Sequence, residues 1–303
     1  MSKRVYFVIS LGAFSTSIAA GVLLAIFLPR TPWQSLSPQD LAPTPQVSAS
    51  TTFGDVLSQA TKSASPSAIL GTTTQGPVTI AILGDSMVDT LGRDLKPFSQ
   101  TLSQYYPRVT FNLLNYGVGA QKAEEALMRL NQEYTYQNQK MPALLTTNPD
   151  IVVIESFAYN HPPKTEEGLK LRRQTLAKIV SEIKSKTHAE VGVLVTIAPN
   201  DQKFAAGSEG INWDDNQRKI EAQAVREFLQ DAIKYANEAS LPLIDAYSPS
   251  LDQNKNGKEI YIRPEDNIHP SQAGIELVSD LTAQKIQELG LVEKSLTKQA
   301  STP

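Results

Sequence analysis

Between Pro77 and Gly290, short apolar runs rich in β-branched residues alternate with longer stretches of helical periodicity. This alternation constrains the fold more than any other property of the chain. Strands separated by helices are joined by crossovers, so they lie parallel in one sheet with helices on both faces and right-handed connections. Residues 78–83, 109–114, 151–154, 191–197 and 243–244 read as strands. Ile151-Val152-Val153-Ile154 is apolar at every position, as a strand buried on both sides must be. Helices are expected over 91–105 (with Pro97 in the first turn or at a break), 122–133, 165–186, 214–239 and 271–289, the last capped by Ser271. The fold class is therefore α/β, a three-layer α/β/α sandwich around a mainly parallel sheet of about five strands.

The flanks differ in composition. Lys3 and Arg4 precede an uncharged run over 5–28. At about 1.5 Å per residue this run spans about 36 Å, enough to cross a bilayer with some tilt. The positive flank predicts a cytoplasmic amino terminus and an extracytoplasmic domain. Residues 1–30 are read as an uncleaved membrane anchor. A cleaved signal peptide, and hence secretion, is the competing reading, but no clear Ala-x-Ala site follows the run. Residues 31–76 are dominated by Pro, Ser, Thr, Ala and Gln and are expected to be a disordered linker. The globular domain is placed at 77–290, and 291–303 is read as a polar, frayed tail. The absence of cysteine excludes disulfides, thiolate metal sites and a lipidated cysteine. A net charge of -3 gives no electrostatic basis for a nucleic-acid partner.

The candidate nucleophile and two candidate donor loops fall at expected strand ends, and the candidate base lies just before the last helix. Gly84-Asp85-Ser86 closes the first strand and puts a hydroxyl at the carboxyl edge of the sheet, where open α/β sheets collect ligands. Taken alone, the tripeptide is equally a turn in which Asp85 or Ser86 caps a helix. A nucleophilic serine needs a base, and the base needs an orienting group. Of the three histidines, His188 reads as a solvated helix-end cation and His161 lies on a loop before Pro162. His269, in Asp266-Asn267-Ile268-His269-Pro270, has an aspartate three residues back that can turn under the ring and hold Nδ1. Two loops can supply oxyanion donors: 114–120, through backbone N–H groups, and 155–162, through the Asn160 carboxamide. Each has a bland alternative, a plain turn for the first and an asparagine bonded to its own backbone for the second. Tyr159, Phe204 and Trp213 are candidates to line a pocket, Trp213 equally a packing residue. Asp252-Gln253-Asn254-Lys255-Asn256-Gly257 imitates the start of a calcium loop, but Arg263 stands where a bidentate Glu is required, so it is read as a polar turn.

Four blocks in order resemble the SGNH hydrolase superfamily, also called the GDSL esterase/lipase family. They are Gly84-Asp85-Ser86 with Asp89, Asn115 to Ala120, Asn160, and Asp266 to Pro270. The resemblance spans about 78–289 and implies an SGNH/flavodoxin-like domain. It implies Ser86 as nucleophile, His269 as general base and then acid, and Asp266 as its orienter. The implied oxyanion hole is the Ser86 N–H, the N–H of Ala120 or Gly119, and the Asn160 side chain. Asp85 and Asp89 would shape the nucleophile loop. The implied reaction is two-step acyl transfer to water with no metal or organic cofactor. Two positions depart from the family pattern. Ala120 replaces a glycine, which is compatible with a negative φ and otherwise shifts the donor to Gly119. The third block lacks its glycine and second acid. With the anchor, this reading gives an exported serine esterase acting on a cell-envelope ester, such as glycan O-acetyl groups or an acyl lipid. A non-catalytic glycan-binding or adaptor module and an O-acyltransferase are the alternatives.

Overall fold

The structure, a computed structural model, describes residues 76–211 and 213–301. The expected anchor, and the expected linker up to residue 75, lie outside the described residues. Among those described, no helix is long and apolar enough to cross a membrane.

The strands are β1 (Val78–Gly84), β2 (Phe111–Gly117), β3 (Tyr134–Tyr136), β4 (Gln139–Met141), β5 (Ile151–Glu155), β6 (Glu190–Val195) and β7 (Leu243–Asp245). The helices are α1 (Ser86–Asp89), α2 (Lys96–Tyr105), α3 (Ala123–Arg129), α4 (Glu166–Lys186), α5 (Asp215–Glu238), α6 (Gln272–Glu288) and α7 (Leu291–Ser301). Five strands form one parallel sheet in the order β2-β1-β5-β6-β7. The period-2 alternation of strands divides the core into two layers. Ala81, Leu83, Val152 and Ile154 face α3, α4 and α5. Ile80, Ile82, Ile151 and Val153 face α1, α2, α6 and α7. All of these side chains are buried, and each Val, Leu or Ile among them stabilises the fold by roughly 1.5–3 kcal/mol.

This strand order fixes where the site lies. The connection from β1 leads to β2 on one side, and the next main-sheet strand, β5, lies on the other side of β1. The loops after β1 and β5 therefore diverge and leave a crevice at the carboxyl edge, the topological switch point of this class of sheet.

The structure revises several expected boundaries. Strand β2 runs on to Gly117, because parallel pairing with β1 continues to Gly84↔Gly117 and outweighs the weak strand preference of Asn115. Helix α2 begins only at Lys96, with Pro97 in its first turn. Helix α3 stops at Arg129, and the chain then forms the β3–β4 hairpin, which the sequence reading missed. Its turn residues Gln137 and Asn138 both have positive φ, the conformation of a tight hairpin turn, without the usual glycine that signals one. The expected frayed tail is helix α7, which docks through buried Leu291, Val292 and Ser295.

Candidate active site

The nucleophile turn is shaped by close packing. A Cβ on Gly84 would lie 2.2 Å from Val88 Cγ2 and 2.9 Å from Glu155 Cβ, so only glycine fits where β1 ends. Asp85 is fully buried, and its Oδ1 accepts the Met87 N–H at 2.8 Å, capping α1. The capping role belongs to Asp85, which leaves Ser86 as the first helical residue, partly exposed. Its hydroxyl and its N–H have no hydrogen-bond partner among the described residues.

The Asp266–His269 segment is a closed loop. Ile262 and Pro270 form an antiparallel bridge, the Arg263 N–H donates to the His269 carbonyl at 2.8 Å, and Asn267 takes φ 53°. Asp266 Oδ1 accepts the N–H groups of Ile268 and His269 at 2.9 and 3.0 Å. Its Oδ2 lies 2.7 Å from His269 Nδ1 and also accepts Arg263 Nε at 2.9 Å. Burial pushes the Asp266 carboxyl up, but the imidazole, the guanidinium and the two N–H groups outweigh it and hold it well below the usual carboxylate range. Burial pushes the Asp85 carboxyl up, and the Asn160 and Met87 hydrogen bonds, then the His269 and Arg129 charges, oppose it. The loop after β6 braces this segment: Asn267 Nδ2 donates to the Ala206 carbonyl at 2.7 Å, and the Glu209 N–H to the Glu265 carbonyl at 2.7 Å. Gly207, at φ 126°, permits that approach, since a Cβ there would lie 2.4 Å from the Glu265 carbonyl oxygen.

Asn160 closes the crevice from the β5 side. Its Nδ2 donates to Asp85 Oδ2 at 2.8 Å, joining the loops after β1 and β5. One N–H of the carboxamide is thus engaged by Asp85, and its second N–H is left for another acceptor. On the β2 side, the Gly119 N–H donates to Tyr136 Oη at 3.0 Å, and that hydroxyl donates to Asp89 Oδ2 at 2.8 Å. Gly119 is therefore occupied as a donor. Ala120 has φ 59°, not the negative φ under which alanine was expected to serve. An alanine there bears roughly 1–2 kcal/mol of left-handed strain, and its N–H has no acceptor among the described residues.

Three buried side chains beneath the site had no role in the sequence reading. Arg129 of α3 donates to the carbonyls of Tyr116 and Gly84 at 2.6 and 3.0 Å, holding the ends of β2 and β1 together. Arg172 of α4 donates to the Ser156 carbonyl at 2.9 Å and pairs with Asp231 at 2.6 Å. Glu155, fully buried at the end of β5, accepts from the Ser156 hydroxyl and from the Phe157 N–H. A lone acid closing an otherwise apolar strand at the sheet's carboxyl edge was the one available sequence signal for it.

Burial, and then the neighbouring Asp85 charge, push the Glu155 carboxyl well above its usual value. The native state therefore holds a proton that the unfolded chain releases once pH exceeds about 4.3. Stability contributed by this group falls as pH rises from there through the raised native value. Glu155→Gln, which is neutral throughout, is expected to lose less thermal stability than the parent between pH 5 and pH 8. Melting curves at both pH values test this, and parallel losses in the two proteins would contradict it.

His161 stacks on Phe228 with centroids 4.6 Å apart, its Nδ1 2.6 Å from the Pro162 carbonyl oxygen. His188 is exposed after α4. Tyr159, Phe204 and Trp213 form a run of neighbouring rings with centroid separations of 6.1 and 6.3 Å. In the calcium-like segment, Asp252 Oδ1 accepts the N–H groups of Asn254 and Asn256, both at 2.8 Å, as in a polar turn.

The sequence model of the family described as GDSL-like Lipase/Acylhydrolase matches residues 80–282. No curated protein matches the chain. Among solved structures, a lipase/acylhydrolase from Enterococcus faecalis is 20% identical, covers 70% of this chain and 96% of its own, and has a TM-score of 0.50. A GDSL-like lipase from Bacteroides thetaiotaomicron is 16% identical, covers 70% of this chain and 88% of its own, and has a TM-score of 0.51. At these identities the likeness is one of fold.

Proposed function

Since the chain belongs to the GDSL-like lipase/acylhydrolase family and is a serine ester hydrolase, we propose that Ser86, His269 and Asp266 carry its reaction. The observation that carries this reading is the 2.7 Å contact of Asp266 Oδ2 with His269 Nδ1, together with a Ser86 hydroxyl that the Asp85 cap leaves without a partner among the described residues. With Nδ1 held by Asp266, Nε2 is left to take the serine proton as Oγ attacks the ester carbonyl. Asp266 offsets the charge of the resulting imidazolium. The tetrahedral oxyanion receives the N–H groups of Ser86 and Ala120 and the free N–H of Asn160. His269 then protonates the leaving alcohol, and water, deprotonated by the same imidazole, hydrolyses the acyl-enzyme.

The finer reading rests on the sequence. Residues 1–30 anchor the enzyme in a membrane, 31–76 tether it, and the domain acts outside the cytoplasm on an envelope ester, either an O-acetylated glycan or an acyl lipid. The uncharged 5–28 run behind Lys3 and Arg4 supports this placement. A fluorophosphonate probe is expected to label the parent and not Ser86→Ala. Equal labelling of both proteins would remove Ser86 from the mechanism.

A further inference from the structure

We propose that Arg263 is a positioning residue of this site: by sharing Asp266 Oδ2 with the imidazole, it fixes the carboxylate against His269 and opposes proton uptake by the Asp266–His269 pair. The inference rests on the reading of that pair as the catalytic base system.

The closed loop from Ile262 to Pro270 carries residues 263, 266 and 269 at three-residue intervals. The Asn267 N–H donates to the Arg263 carbonyl at 2.8 Å, and the Arg263 N–H donates to the His269 carbonyl. The backbone that sets the Asp–His pair therefore sets the arginine as well. Its guanidinium donates to Oδ2 through both Nε and Nη2, and Nη2 lies 3.5 Å from His269 Nδ1. With Oδ1 filled by two backbone N–H groups, the carboxylate cannot rotate away from the ring without breaking several charge-assisted hydrogen bonds.

The same arrangement has an electrostatic consequence. An imidazolium formed at His269 meets not a free carboxylate but one already neutralised in part by a cation on the same oxygen. Arg263 contacts the pair directly and Asp85 on the nucleophile turn interacts with the imidazole charge, while Glu265 on the same loop and Glu209 on the loop after β6 act on the Arg263 guanidinium. Glu209 Oε2 stands 3.7 Å from Arg263 Nη2, and both side chains are more than a third exposed, so solvent weakens that contact. A guanidinium on the shared oxygen, 3.5 Å from Nδ1, therefore opposes a second positive charge at the ring.

The test compares full-length parent, R263Q and R263K. For R263Q, the acid limb of kcat/KM on p-nitrophenyl acetate is expected to move to higher pH by about half to one pH unit, the discount from a buried pair reflecting exposure. R263K keeps the charge without the planar fork, so its limb is expected to stay near that of the parent while kcat falls with KM unchanged. An unmoved limb in R263Q overturns the proposal, as does a limb in R263K displaced as far as in R263Q. Should R263Q not fold, the kcat and KM of R263K decide, and a change confined to KM overturns it. Protonation of the His269 ring, followed by NMR in parent and R263Q, reads the electrostatic effect independently of turnover. Parental activity in His269→Ala would instead defeat the underlying reading of the base, a separate result.

Discussion

Ser86→Ala is expected to lower kcat/KM for p-nitrophenyl acetate by about 10⁴–10⁶-fold while leaving the melting temperature close to that of the parent. The stability expectation follows from the local structure. The cap of α1 is supplied by Asp85, and the serine hydroxyl has no partner among the described residues, so its removal breaks no hydrogen bond there. The catalytic expectation follows from losing the attacking atom. What survives is the stabilisation of charge by the oxyanion donors acting on water. His269→Ala is expected to cost a similar factor, and the double variant little more than either alone, because base and nucleophile act as one unit. Steady-state kinetics on the three proteins test this. Losses that multiply in the double variant would mean that the two side chains contribute separately, and a Ser86→Ala enzyme as fast as the parent would end the assignment.

Asn160→Ala is expected to damage both stability and catalysis, because the carboxamide faces two ways. One N–H satisfies Oδ2 of a fully buried aspartate at 2.8 Å. Burial already pushes the Asp85 carboxyl up, against the pull of Asn160, the Met87 N–H and the charges of His269 and Arg129. Removing the donor leaves a desolvated acceptor without its partner, at a cost of about 1–3 kcal/mol. For a domain of this size that corresponds to a fall in melting temperature of about 2–12 °C. The other N–H, directed to the oxyanion, is worth about 10²–10³ in kcat. Urea unfolding and kinetics on one preparation separate the two effects. A stability loss with kcat within threefold of the parent would make Asn160 a strut between the β1 and β5 loops and remove it from the oxyanion hole.

Much of this site is legible in the chain because its short-range parts are encoded contiguously. The Gly84-Asp85-Ser86 turn follows from a strand that ends where only glycine fits. The Asp266–His269 contact spans three residues, so a single loop can close it without help from the rest of the fold. The β3–β4 hairpin was not legible, because its turn uses Gln137 and Asn138 at positive φ where a glycine would have announced it. With the hairpin went the Tyr136 bridge, and with that the fact that Gly119 is already engaged.

By itself, the sequence determined the parallel α/β sandwich, since alternating periods of 2 and 3.6 admit few other layer arrangements. It also placed the candidate nucleophile at the end of the first strand and the candidate acid and base on the segment before the helix expected over 271–289. The tertiary structure alone decided who meets whom across the crevice. Asn160 and Asp85 are 75 residues apart, and their contact exists because the strand order puts β1 beside β5. The same holds for Glu155 beneath the nucleophile turn and for Arg129 clamping the ends of β1 and β2. Local periodicity is written residue by residue, whereas such long-range pairings depend on strand order and crossover geometry, to which no short stretch of sequence corresponds.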